Sequence, residues 1–408
     1  MGKTFSDTQL FRCMQTVILA AGKGTRMRPL TDKVSKPMLP VADRPLVGQI
    51  LHRTVEAGAS RLILVVGDNE DSIQSRFGET YAGVPVQYAR QDDQVGTADA
   101  LRAARPLLSK DPFAVVNGDI MVDQAALNTL FATVPAVGAT PVDNPSSYGV
   151  LSTNDTGSVT EIIEKPTNPQ SNLVNAGVYT FPASVLDDVD SIEESTRGEY
   201  ELTDLLAKVL DVVEVKAVTF DRWLDVGRPW ELLEAVSWRL EELSPQINGE
   251  VHASADITGP VIVEEGAVIR AGVSIDGPVL LKSGSTVGPN AYIRGSSVIS
   301  EGATVGHAVE IKNSILYRDA TVGHQSYVGD SILAPGVNLG AGTNIANLRH
   351  DGKPIKSYVK GDLVSTGRRK YGAVLGPMSK TGINTSIYPG AVLDTDATTL
   401  PGEIVTGD

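Results

Sequence analysis

The chain has 408 residues, room for two or three domains. With 41% hydrophobic residues it can build sizeable cores, and its 49 acidic against 35 basic residues leave a formal charge of -14, a poor balance for general binding to nucleic acid or anionic membrane. The single cysteine, Cys13, excludes an internal disulfide and a cysteine-based zinc site. No run approaches the roughly 18 apolar residues of a membrane span. Residues 1–15 lack the basic start and apolar stretch of a secretory signal, so a cytoplasmic protein is expected, with residues 1–14 a disordered extension.

Residues 15–228 read as an α/β domain. Strand-like runs occur at Thr16–Ala20, Arg61–Val66 and Phe113–Val116. Between them lie helical stripes, Leu46, Ile50, Leu51 and Val55, then Ala98, Leu101, Ala104 and Leu107. This alternation predicts a Rossmann-like, mixed and mostly parallel sheet covered on both faces, with ligands beyond the carboxyl ends of its strands. Residues 229–249 read as a helical linker.

From residue 250 to 408 the pattern becomes a repeat. Counting by six gives Ile257, Val263, Ile269, Ile275, Leu281, Val287, Ile293, Ile299, Val305 and Ile311, all branched aliphatics. Period six is neither helical nor simple strand alternation. It predicts a left-handed parallel β-helix of hexapeptide repeats, whose inward aliphatics stack into one core. The register slips by one at Leu316 and again at Leu333, both times after Ser-Ile-Leu. Such coils commonly associate about a threefold axis, so a homotrimer is expected. Between Arg349 and Lys370 the repeat breaks into a basic segment with Lys353 and Lys356, seven basic residues against two acidic ones. That excess suits a phosphorylated small molecule; without an aromatic platform it does not suit nucleic acid.

After the first strand comes Ala21-Gly22-Lys23-Gly24-Thr25-Arg26. It has neither the Gly-x-Gly-x-x-Gly of a dinucleotide fold nor the Gly-Lys-Ser/Thr of a P-loop. Its small residues let backbone N–H groups approach phosphate oxygens, and Arg26 with Lys36 supplies positive charge.

These residues carry a resemblance. Residues 15–230 resemble the sugar-1-phosphate nucleotidylyltransferases, residues 250–400 the hexapeptide-repeat acyltransferases, and the whole resembles the bifunctional enzymes of the GlmU type in their archaeal form. The resemblance implies that Ala21, Gly22 and Gly24 bind nucleotide and that Gln91, Gly96 and Thr97 hold its uracil. It implies that Gly149, Glu164, Lys165, Asn175, Glu199 and Thr203 bind the sugar phosphate, and that Asp119 and Asp225 bind magnesium. Aspartate at 225 follows the archaeal and monofunctional pattern, where the bacterial bifunctional enzymes carry asparagine. Magnesium takes hard oxygen ligands, and two carboxylates plus substrate phosphates suit it.

The implied first reaction is attack of a sugar-1-phosphate on the α-phosphorus of UTP, with Arg26 and Lys36 as catalytic cations. The nucleophile is already anionic, so catalysis is positioning and charge stabilisation. The implied second is acetyl transfer from acetyl-CoA to glucosamine-1-phosphate, which needs a base. The resemblance selects His324, with His307 as the competing base from sequence alone. It implies that Arg294, Glu310, Lys312, Tyr327, Asn347, Lys353 and Lys356 bind the acceptor, and that Gly340, Ala341 and Gly342 adjoin the acetyl-CoA channel. Two other readings stay open: a monofunctional UTP- or dTTP-dependent glucose-1-phosphate transferase whose β-helix only oligomerises or regulates, and a non-enzymatic sensor of nucleotide sugars.

Overall fold

The computed structural model describes residues 14–68 and 70–407. Cys13 and the expected extension lie outside the described residues, except that Met14 opens the first strand. The chain divides into two compact units, one of residues 14–23 and 46–225, the other of residues 24–45 and 226–407.

In the first unit, strand Met14–Leu19 lies parallel to Ala59–Val66 on one side and to Phe113–Asn117 on the other. Val84–Arg90 extends the sheet in parallel beyond Ala59–Val66. The runs of Val, Ile and Leu in Met14–Leu19, Ala59–Val66 and Phe113–Asn117 are almost fully buried, as expected of strands covered on both faces. Helices α1 (Leu46–Glu56), α2 (Glu70–Phe77) and α3 (Thr97–Ala104) alternate with these strands. Beyond Phe113–Asn117 the pairing turns antiparallel, through Leu173–Phe181, Gly149–Thr153 and Val159–Glu164. The chain builds outward from Met14–Leu19 and then returns to its opposite side. The switch point therefore falls between the carboxyl ends of Met14–Leu19 and Phe113–Asn117, where such sheets bind ligands. The Gly118 N–H donates to Leu19 O at 2.9 Å and closes the two ends together.

In the second unit the six-residue repeat forms three parallel ladders. One stacks Ile257, Ile275, Ile293, Ile311, Val328 and Ile345 in register. A second stacks Val263, Leu281, Ile299, Leu316 and Leu333, and a third Ile269, Val287, Val305, Val322 and Leu339. Nearly all are fully buried, each contributing about 1.5–3 kcal/mol by leaving water. The ladders form the expected β-helix.

At the register slips side chains take over from the backbone. Ser297, Ser314 and Ser331 stack at one buried corner. Ser314 N–H donates to Ser297 Oγ at 3.2 Å, Ser331 N–H to Ser314 Oγ at 3.0 Å, and Ala373 N–H to Ser331 Oγ at 3.0 Å. The serine hydroxyls take up backbone donors where the corner is one residue shorter. After Leu348 the chain leaves the coil, forms the antiparallel hairpin Lys356–Val359 with Asp362–Ser365, and rejoins so that Leu375 stacks beside Leu333. Helix Pro229–Glu242 belongs to this unit, as does the segment 24–45. Arg239 joins the two with bonds of 2.7 and 2.9 Å to Asp43.

Candidate active site

In the first unit, Ala20, Ala21 and Gly22 leave the carboxyl end of Met14–Leu19 at the switch point, Ala21 buried and Gly22 exposed. Gly118 and Asp119 follow the adjacent strand Phe113–Asn117. Asp119 then enters a short antiparallel ribbon, in which Ile120 pairs with Asp225. The ribbon thus brings both candidate magnesium ligands to one end, Asp225 opposite the residue that follows Asp119. Two oxygen-donor carboxylates so placed fit a hard divalent cation that completes its shell with phosphate and water.

Gln91 follows strand Val84–Arg90 and is buried, its Nε2 donating to Gly96 O at 3.0 Å and Asp99 Oδ2 at 2.7 Å. Thr97 Oγ1 accepts the Leu202 N–H at 2.9 Å, and Ala98 N–H donates to Tyr200 O at 2.8 Å. The start of α3 is thereby tied to the segment that carries Glu199, Glu201 and Thr203.

Four of the sugar-side candidates converge. A β-carbon on Gly149 would stand 2.9 Å from Glu164 Oε2, 3.1 Å from the Thr203 methyl and 3.6 Å from Asn175 Cβ. A side chain there would press on the Glu164 carboxylate and the Thr203 methyl, while Asn175 Cβ stays at ordinary contact distance. Thr203 Oγ1 is buried with no hydrogen-bond partner among the described residues. Asn175 Oδ1 accepts the Gly177 N–H at 2.9 Å, while its Nδ2 donates to the Tyr179 hydroxyl. Glu164 lies 3.4 Å from Lys165 Nζ and 3.7 Å from Arg197 Nη2. Burial pushes the Glu164 carboxyl above its ordinary range and Glu201 adds to this, against the pull of Lys165 and Arg197.

Glu199 itself is exposed. Buried Glu201, which sequence reasoning passed over, binds Arg197 at 2.7 Å and so shares that guanidinium with Glu164. Its only signal was its place in the same Gly-Glu-Tyr-Glu-Leu-Thr string.

Gly24, Arg26 and Lys36 belong to the second unit. Gly24 has φ of 64°, and a β-carbon there would collide with Lys36 Cβ, so glycine permits both the turn and the passage of buried Lys36. Arg26 is exposed, and its guanidinium passes within 3.2 Å of where a β-carbon on Gly227 would stand.

Along the β-helix Arg294, Glu310, Lys312, Tyr327 and Asn347, from the second set of candidates, lie in one array. Strand pairing sets Glu310 beside Tyr327 and Arg294 beside Lys312. Arg294 Nη2 lies 2.8 Å from Glu310 Oε1, and Lys312 Nζ 2.9 Å from Asp330 Oδ2. Asp330 also accepts from Asn313 at 2.7 Å and from Asn347 Nδ2. Buried Asp330 is the hub of this array, and sequence reasoning gave it no role. Burial raises the Tyr327 hydroxyl, and the Glu310 and Asp330 charges raise it further.

His324 ends a strand on the neighbouring face, exposed and in register with exposed His307 one coil away. Its carbonyl accepts the Gly342 N–H at 3.1 Å, which ties it to Gly340-Ala341-Gly342. Lys353 and Lys356 are exposed in the excursion, Lys356 opening the hairpin.

Known proteins match this architecture. The nucleotidyl transferase family profile matches residues 15–242, and the profile described as GMPPB C-terminal domain matches residues 275–387. A relative from Methanococcus aeolicus, "Bifunctional protein GlmU", is 38% identical over 386 residues, covering 94% of this chain and 92% of its own. The Haloferax volcanii protein "UTP--glucose-1-phosphate uridylyltransferase AglF" is 37% identical over 245 residues, covering 57% of this chain and 99% of its own. A solved structure of UDP-glucose pyrophosphorylase complexed with UDP-glucose superposes with a TM-score of 0.52 over 56% of this chain and 99% of that one; at 23% identity it shows the fold. The chain belongs to the archaeal-type, GlmU-like family of bifunctional sugar-1-phosphate nucleotidyltransferases.

Proposed function

We propose that the chain acetylates glucosamine-1-phosphate with acetyl-CoA, then transfers UMP from UTP to the N-acetylglucosamine-1-phosphate, giving UDP-N-acetylglucosamine and pyrophosphate. The observation that carries this reading is the joint presence of two constellations. One is the Gly149–Glu164–Asn175–Thr203 cluster, whose Thr203 hydroxyl has no hydrogen-bond partner among the described residues. The other is the Arg294–Glu310 and Lys312–Asp330–Asn347 array on the coil that carries exposed His324.

In the first reaction the sugar phosphate attacks the α-phosphorus and pyrophosphate leaves, with no proton to remove. Glu164, Asn175 and Thr203 orient the sugar; Lys165 offsets its phosphate charge; Ala21, Gly22 and Gly24 approach the nucleotide phosphates; Arg26 and Lys36 offset the triphosphate charge. Asp119 and Asp225 would hold Mg2+, which when bound supplies charge neutralisation at the phosphates. In the second reaction His324 takes the proton released as the amine nitrogen attacks the thioester carbonyl and CoA thiolate departs. Arg294 and Lys312 bind the sugar phosphate, while Glu310, Tyr327 and Asn347 orient the amino sugar. Lys353 and Lys356 add charge to the acceptor side, and Gly340, Ala341 and Gly342 adjoin acetyl-CoA. The active form is a cytoplasmic homotrimer built through the β-helix.

A second reading is favoured by AglF, whose near-full length matches only 57% of this chain. On it the chain is a uridylyltransferase or thymidylyltransferase for glucose-1-phosphate, and the coil only oligomerises or regulates. A product panel separates the two: glucose-, glucosamine- and N-acetylglucosamine-1-phosphate, each with four nucleoside triphosphates, with and without acetyl-CoA. The proposal expects glucosamine-1-phosphate to become a UDP-sugar only when acetyl-CoA is present. Turnover of glucose-1-phosphate alone would favour the second reading. Light scattering tests the trimer.

A further inference from the structure

The Gln91 amide has two faces, an oxygen that accepts and an NH2 that donates. Which face meets a base decides which base is taken. In this chain its direction is forced by its neighbours. Gly96 O lies 3.0 Å from Nε2, and Asp99 Oδ2 lies 2.7 Å from the same nitrogen. A carbonyl and a carboxylate can only accept, so the NH2 must face both of them. Both amide protons are thereby used. Gln91 Oε1, by contrast, accepts no hydrogen bond from the described residues.

Asp99 is well placed to hold this arrangement. It sits in the first turn of α3, where the helix end favours a negative charge. Its bond to Gln91 is charge-assisted, stronger than the neutral bond to Gly96 O. The Gln91 backbone is fixed independently, its N–H donating to Val66 O at 2.8 Å. A residue pinned at its backbone and at its amide nitrogen leaves one free function, a lone acceptor.

We propose that Asp99 is a positioning residue for base selection. It holds the Gln91 amide with its oxygen available, so that the site takes a pyrimidine whose ring nitrogen N3 carries a proton, uracil or thymine, and rejects cytosine, whose N3 is an acceptor. This rests on the reading of Gln91 as the base-contacting residue of the nucleotidyl-transfer site. Cytosine there would set two acceptors against each other, and reversing the amide to accommodate it would set Oε1 against both Gly96 O and the Asp99 carboxylate.

The test is calorimetric binding of UTP, dTTP and CTP to the full-length protein and to its D99N and D99L variants, followed by nucleotidyl transfer with the same three nucleotides. D99L removes the charged acceptor, and the UTP-over-CTP affinity ratio should fall about tenfold, the scale of one oriented hydrogen bond. D99N keeps an acceptor oxygen in the same shape and should retain most of the ratio. In turnover the loss should appear in KM for UTP, with kcat little changed. If UTP and CTP affinities fall together in D99L, Asp99 merely supports the helix and the proposal is overturned. An unchanged ratio overturns it too, as does wild-type protein that binds CTP as tightly as UTP. Selective UTP binding that weakens in D99L, without turnover of any sugar phosphate, would uphold Asp99 and sink only the reaction.

Discussion

Lys312 Nζ and Asp330 Oδ2 lie 2.9 Å apart across neighbouring coils, with Asp330 buried. The aspartate also holds Asn313 and Asn347, so a single carboxylate ties side chains of the two flanking coils to its own. Replacing it by alanine strips Lys312 of its partner in a mostly dry site. D330A should lose about 3 kcal/mol in urea unfolding, the scale for breaking a buried pair. Where it still folds, it should raise KM for glucosamine-1-phosphate. A stability change under roughly 0.5 kcal/mol, the range of ordinary surface substitutions, would show that the hub is dispensable.

The serine corner predicts a specific asymmetry. Ser314 Oγ accepts the Ser331 N–H and donates to Lys312 O at 2.8 Å. S314A leaves a buried donor unsatisfied and should cost about 1–3 kcal/mol. S296A, at a half-buried position outside the corner ladder, should cost less. Equal losses by thermal melting would count against the account of the register slips.

The Asp43–Arg239 pair predicts acid sensitivity. Burial alone would raise the Asp43 carboxyl, but the hydrogen bonds and charge of Arg239, with help from Arg44, leave it below the ordinary value. A depressed folded-state pKa gives stability that is present above the unfolded value of 3.8 and lost as pH falls through the folded one. D43N should therefore be less stable than wild type at neutral pH, with the gap narrowing below pH of about 4. A gap independent of pH would refute the assignment.

Glu164 carries the opposite sign. Its raised carboxyl means the folded state binds a proton before the unfolded state does, so its ionisation destabilises the fold as pH rises above the ordinary value of 4.5. The melting temperature of E164Q relative to wild type should rise with pH through this window and then level off. The same variant should bind the sugar phosphate more weakly. A relative melting temperature that falls across the window would contradict the burial argument.

Much of the fold was legible because its pattern is repetitive. Ile257 through Ile311 recur every six residues since each must point inward along one β-helix, and the ladders follow directly. The strand of Phe113–Asn117 was legible because both its faces are buried. The antiparallel half of the first sheet, such as Gly149–Thr153 on Val159–Glu164, was not, because half-exposed strands alternate only weakly and their pairing is long-range. Glu201 and Asp330 escaped notice for a related reason: each acquires its place only when distant residues, Glu164 or Lys312, fold against it. The grouping of residues 24–45 with residues 226–407 likewise depends on distant partners such as Asp43 and Arg239.

The most direct measurement follows acetyl label from acetyl-CoA into UDP-sugar in wild type and in H324A, with glucosamine-1-phosphate and UTP supplied. Wild type should incorporate label. H324A should lose about a hundredfold or more of that rate, the scale of a missing general base, while still converting N-acetylglucosamine-1-phosphate and UTP into product. Wild-type protein that incorporates none, or H324A that incorporates as much as wild type, would contradict the central claim.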